Sequence, residues 1–207
     1  MIRLYRFPGS TNVERVALAF AHKRIPVESV EIDPADRSEV VRVSGQPLVP
    51  VIRDGDRVVF DSTTIVRYLE DTYPDSPRLF PADAARRAEV EIFLDWFDRV
   101  WKRPPNAITT ELQKPEAARD LPAIARWGAG MQASLGRFES MLTGRAHLMG
   151  EFGAADVAAF PFVKYALIPE FADEELFHTI LSRYLRLGED HPNVRTWIDR
   201  VDSRPRA

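Results

Sequence analysis

Three prolines between positions 74 and 81 (Pro74, Pro77 and Pro81) constrain this chain more than any other feature. Proline fixes φ and lacks an N–H, so neither a helix interior nor a central strand can run through such a cluster. The pattern changes character across it. Before the cluster, short β-prone runs alternate with helical spacing; after it, every periodic stretch is helical. A chain of 207 residues is long enough for two small domains. The expected division is 1–77 and 84–207, an α/β domain followed by an all-α domain.

Residues 2–5 form a β-prone run, followed by the turn and cap residues Pro8, Gly9, Ser10, Thr11 and Asn12. From Val13, the apolar positions 13, 16, 17 and 20 have helical spacing, with Lys23 and Arg24 suited to the negative helix end. Residues 27–32 alternate as a strand, which predicts a parallel crossover with the first. A weak helical segment falls near 38–43. The runs 48–52 and 58–60 flank Asp54-Gly55, a hairpin signal. Asp61, Ser62 and Thr63 then open a helix whose buried stripe is Ile65, Val66 and Leu69. Beyond the prolines, helices are expected over 84–103 as one long element, then 122–143, 154–167, 173–187 and 194–203. Residues 145–152 read as an exposed connection.

Charge excludes several functions. The 28 Lys+Arg nearly balance the 31 Asp+Glu, and neither side of the proline cluster is basic, so no nucleic-acid partner is expected. No apolar run nears the ~20 residues of a membrane span, so no membrane partner is expected either. Residues 1–5 turn polar too quickly for a signal peptide, which points to a cytoplasmic protein. With no cysteine there is no disulfide, thiol nucleophile or thiolate metal ligand. His22, His147, His178 and His191 lack metal-ligand spacing and read as surface or core residues, so no metal is expected. Trp96 and Trp101 lie on an aromatic stripe that reads as core.

Three points can carry chemistry. Ser10, between the first strand and helix, can cap that helix or meet an anion at its positive end. Val49-Pro50 precedes a strand; a cis bond there would leave the Val49 backbone groups to pair with an extended, peptide-like ligand. Asp61-Ser62 opens a helix: Ser62 can cap it or hold a carboxylate, and Asp61 can pair with an ammonium. Singly, each has an ordinary structural reading.

Together, and in this order, they resemble the glutathione transferases over nearly the whole chain. The segment Leu4-Tyr5 followed by Ser10-Thr11-Asn12-Val13-Glu14-Arg15-Val16 is similar to the strand-to-helix segment of serine-type and cysteine-type members. Val49-Pro50 resembles their cis-proline motif and Asp61-Ser62 their acidic-Ser pair. Gly153-Ala154-Ala155-Asp156-Val157-Ala158 resembles their capping-box segment. The resemblance implies a thioredoxin-like α/β N-terminal domain followed by an all-α helical C-terminal domain. It implies glutathione as co-substrate, Ser10 as the catalytic residue, and Val49, Pro50, Asp61 and Ser62 as glutathione-binding residues. It also implies a homodimer and a small electrophile held against the helical domain near Trp101 and Arg103, in chemistry of the detoxifying kind. Four positions depart from the pattern. Leu48 replaces a Lys or Gln that contacts the glycyl carboxylate, Pro47 a frequent Gly, Gly153 the capping Ser/Thr, and Thr11 a frequent Pro.

The implied reaction is attack of the glutathione thiolate on the electrophile. A free thiol has a pKa near ~8.5, and lowering it by ~2 units needs ~2.7 kcal/mol of thiolate stabilisation. A hydrogen bond from the Ser10 hydroxyl, worth ~1.5–3 kcal/mol to a charged acceptor, together with the helix dipole supplies that much. Of the rival functions, a thiol–disulfide oxidoreductase is excluded because it needs a cysteine at position 10. A non-catalytic binding or interaction module on the same fold stays open.

Overall fold

The structure is a computed structural model that describes residues 1–170 and 175–207. It divides into two compact units, Met1–Arg87 with Arg204–Ala207, and Ala88–Ser203. In the first unit the elements are β1 (Ile2–Arg6), α1 (Thr11–Lys23), β2 (Val27–Glu31), α2 (Ser38–Ser44), β3 (Val51–Asp54), β4 (Arg57–Phe60) and α3 (Ser62–Thr72). The sheet runs β2-β1-β3-β4, parallel between β1 and β2 and antiparallel elsewhere. This is the α/β fold that the alternating pattern implied.

Side-chain alternation sets the two faces of the sheet. Tyr5 and its register partner Val51 bury against Ile32 and Val40, while Leu4 and Ile52, also fully buried, point the other way. The hairpin has positive φ at Gly55 but not at Asp56, the requirement of a type II′ turn. Helix α1 is buried on more than the expected stripe: Arg15, Leu18 and Lys23 are each about as buried as Val16. Lys23 Nζ lies 2.7 Å from Glu70 of α3, and the Glu70 carboxylate also accepts from the Leu79 and Phe80 amides. The proline-rich segment is therefore pinned to this unit. Tyr68 and Tyr73 both donate to Asp54, and burial raises both phenol pKa values.

Residues Arg204–Ala207 return to α1 as a strap. Arg206 Nη2 donates to Glu14 (2.9 Å), the Ala207 amide to the Ala17 carbonyl (3.2 Å), and Arg6 Nη1 to the Ala207 carbonyl (2.9 Å).

The second unit is wholly helical among the described residues. Helix α4 (Ala84–Trp96), which begins in the first unit, is followed by α5 (Arg103–Leu112), α6 (Leu121–Leu142), α7 (Ala154–Val163), α8 (Leu176–Tyr184) and α9 (Pro192–Asp202). The single helix expected over 84–103 is corrected. It stops at Trp96, passes through a π-helical turn at Phe97–Trp101, and restarts as α5. Pro104 and Pro105 cannot donate to Val100 and Trp101, so they fit only in the first turn of a new helix. The helix expected over 173–187 corresponds to α8; its first two residues lie outside the described ones. The connection 145–152 is not exposed throughout, since His147 and Leu148 are buried. Asp156 holds it there, accepting from the Leu148 and Gly153 amides and from Trp197 Nε1 at 2.7 Å. Gly153 offers no side-chain oxygen in return, so only half a capping box forms. Among the described residues no helix is long and apolar enough to cross a membrane, and no group of three or more His, Asp or Glu can hold a metal ion.

Candidate functional site

The register Tyr5–Val51–Phe60 aligns the end of β1, the start of β3 and the end of β4 at one edge of the sheet. Ser10 lies just past β1, Val49-Pro50 just before β3, and Asp61-Ser62 just past β4. The positive ends of α1 and α3 thus open at the same edge as the Val49-Pro50 turn, where partial positive charge suits an anion.

Ser10 is the N-cap of α1. Its Oγ accepts from the Val13 amide at 3.3 Å. That use consumes a lone pair and leaves the O–H available as a donor, so capping and holding an anion are compatible. Val49-Pro50 is cis, and the Val49 N–H and C=O have no partner among the described residues. Gln46 shapes the turn: its side-chain amide accepts from the Leu48 N–H (2.7 Å) and donates to the Leu48 carbonyl (2.9 Å). The Leu48 side chain is 65% exposed.

The third point differs from its sequence reading. Asp61, not Ser62, caps α3: its Oδ1 accepts from the Thr64 amide at 2.9 Å. Asp61 has φ 69°, a left-handed value that is costly for a non-glycine residue and recurs where ligands bind. Ser62, in the first helical position, is buried, and its hydroxyl donates to Asn12 Oδ1 (3.3 Å). What Ser62 offers at the helix end is its backbone N–H, which has no partner among the described residues.

Two contributors escaped the sequence reading. Arg15, almost fully buried, donates from Nη1 to Ser62 Oγ and Thr63 Oγ1, each at 3.2 Å. A guanidinium therefore stands behind the start of α3. Arg15 lies off the apolar stripe of α1, so periodicity gives no sign of its burial. Arg37, over the Phe7 ring, donates to the Pro47 carbonyl (3.2 Å) beside Leu48. Nothing in the local pattern marks either residue.

Trp101 and Arg103 lie in the helical unit and differ in role. Trp101 is buried, stacked on Phe97 at 4.5 Å, with its indole N–H on Ser134 Oγ (2.9 Å). A cavity of about 280 Å³ beside it is also lined by Trp96, Val100, Pro104 and Met131. Arg103 is exposed and does not line that cavity.

The first unit matches the family model for the glutathione S-transferase N-terminal domain over residues 4–77, and the second the C-terminal domain model over 122–200. The chain belongs to the glutathione transferase superfamily. Glutathione S-transferase GstB of Escherichia coli K12 is 29% identical, over 99% of this chain and 95% of that protein. FtsZ-localized protein A of Caulobacter vibrioides is 26% identical, over 98% and 87%. A glutathione S-transferase from Methylobacillus flagellatus KT, crystallised with glutathione bound, superposes with a TM-score of 0.78 at 23% identity, covering 99% of this chain and 96% of that one. This glutathione transferase homologue thus has the thioredoxin-like domain and helical domain implied by the order of its motifs.

Proposed function

We propose that the protein is a cytoplasmic glutathione transferase that joins the thiolate of glutathione, its co-substrate, to a small electrophile. The observation that carries this reading is the convergence of Ser10, Val49 and Asp61-Ser62 at one sheet edge, at the positive ends of two helices. The γ-glutamyl carboxylate meets the Ser62 N–H with Arg15 behind it, and the γ-glutamyl ammonium meets Asp61. The peptide backbone pairs with Val49, and the sulfur comes to the Ser10 hydroxyl. Leu48 offers no charge to the glycyl carboxylate; Arg37, tied to the Pro47 carbonyl, supplies the cation there. Ser10 donates to the thiolate and needs no base of its own. Glutathione occupies residues 1–77, and the electrophile lies against 84–207, near Trp101 and Arg103. The acting form is a homodimer, with the α4 face bearing Ile92, 70% exposed, against a second copy. Calorimetric titration with glutathione tests the reading: saturable heat at millimolar glutathione is expected, weaker in Arg15→Gln and stronger in Leu48→Lys.

A second reading has its own support. Leu48 removes a polar contact from the site, and one relative spanning almost the whole chain is named for its localisation to FtsZ rather than for a reaction. A non-catalytic binding module would show no heat with glutathione under the same conditions.

A further inference from the structure

A π-helical turn is rare and clusters at functional sites, and the one at Phe97–Trp101 borders the cavity of the helical unit. Its wider bonding shows in the Lys102 N–H, which donates to the Phe97 carbonyl five residues back at 3.0 Å. Residues five apart stand about 140° apart around an α-helix, and the wider turn brings them towards one face. Trp96 and Trp101 accordingly both line the cavity of about 280 Å³. Phe93 at 5.6 Å and Phe138 at 6.1 Å hold the Trp96 ring, so this wall is formed in advance. The facing wall is α6. A side chain begun at Gly130 would meet nothing within 4 Å, so the space beside that residue is open.

The polar groups of the lining are mostly spent. The Trp101 indole N–H is on Ser134 Oγ, and the Ser134 hydroxyl donates to the Met131 carbonyl at 2.6 Å. Arg137 is not spent: it lines the cavity, is exposed, and has no hydrogen bond or ion pair among the described residues. Three and four positions away along α6 stand Ala133, Ser134, Ser140 and Met141, none of them acidic. Among the described residues no acid lines the cavity either. An aromatic and thioether surface therefore borders a single cation.

We propose that this cavity is a binding site for a small planar aromatic carboxylate, whose ring lies against Trp96 and Met131 and whose carboxylate meets Arg137. One guanidinium fork matches the two oxygens of one carboxylate, and the charges balance one to one. An indole face and a thioether both suit a flat ring. A cavity on the order of 150 Å³ holds one benzene, so this one admits a body of one or two rings. An aliphatic acid forfeits the ring contacts, and an aromatic amine brings a like charge to Arg137. The helical unit makes the site alone, so its occupancy needs neither Ser10 nor glutathione.

The test is an NMR titration of the full chain with 2-naphthoate in the absence of glutathione, with 2-naphthamide as the uncharged control and acetate as the anion alone. Saturable shifts are expected at the Trp96 and Trp101 indole N–H groups and at the Gly130 and Arg137 amides. Both controls should bind roughly tenfold more weakly or less. Arg137→Gln, at an exposed position that keeps the fold, should weaken 2-naphthoate roughly tenfold, the loss of one charge-assisted contact. Gly130→Leu fills the open space and should abolish binding, while its melting temperature holds or rises because glycine is a poor helix former. Shifts that do not saturate, 2-naphthamide binding as well as 2-naphthoate, or affinity unchanged in either variant would overturn the site. So would a Gly130→Leu variant that loses self-association in sedimentation along with binding, which would give the cavity to a second copy of the chain. Ser10→Ala should leave the titration as it is, so failure here is distinct from failure of the glutathione reading.

Discussion

At the scale of residues, Ser10 carries two functions on one oxygen. Its lone pair closes the first turn of α1 and its proton is left for a thiolate, so removing it should produce two separable losses. Ser10→Ala is expected to lower stability by ~0.5–2 kcal/mol through the lost cap. It should also raise the apparent pKa of bound glutathione. Turnover at neutral pH then falls, by up to about tenfold for each unit of that rise, and recovers as pH increases. Thermal melts and a pH–rate profile on the same variant measure the two effects. A lowered melt with an unmoved profile would leave the cap as the whole role. Ser10 and Asp61 were visible in the sequence because turn and cap residues announce helix starts. Arg15 was not. Its burial comes from two hydroxyls on α3, nearly fifty positions away in sequence, and no local pattern encodes such a partner.

At the scale of elements, α1, α3 and the proline-rich segment are held together by one buried pair. Lys23 is wholly buried and Glu70 nearly so; the carboxylate also serves two backbone amides. A buried pair contributes little net stability over apolar residues, but breaking it strands a charge. Glu70→Gln is therefore expected to cost about 3–5 kcal/mol in urea unfolding. Lys23→Met with Glu70→Leu should recover part of that loss, since no charge then remains buried. A cost below about 1 kcal/mol for the single variant would mean that water reaches Lys23. The helices themselves were largely legible from periodicity, whereas the break between α4 and α5 was not. The expected helix over 84–103 took no account of Pro104-Pro105, which the π-turn shows as the start of the next helix.

At the scale of the whole molecule, the proposed homodimer predicts a sedimentation mass near twice 23.6 kDa, constant over a dilution series. Ile92→Glu should shift it towards the monomer, and a monomer mass in the unaltered protein would remove the proposal. The change of pattern at the prolines made the order of the α/β and helical parts readable. The return of Arg204–Ala207 to α1 was not, because four residues without periodicity leave no trace of where they dock. That return affects how the protein is made. Arg6, Glu14, Ala17 and His22 are translated early, but their strap partners follow only after all of Ala88–Ser203. At ribosomal rates that interval is on the order of ten seconds. Throughout it the nascent α/β unit has one flank of α1 open to solvent and to chaperones, and it closes that flank only once Arg204–Ala207 have been made.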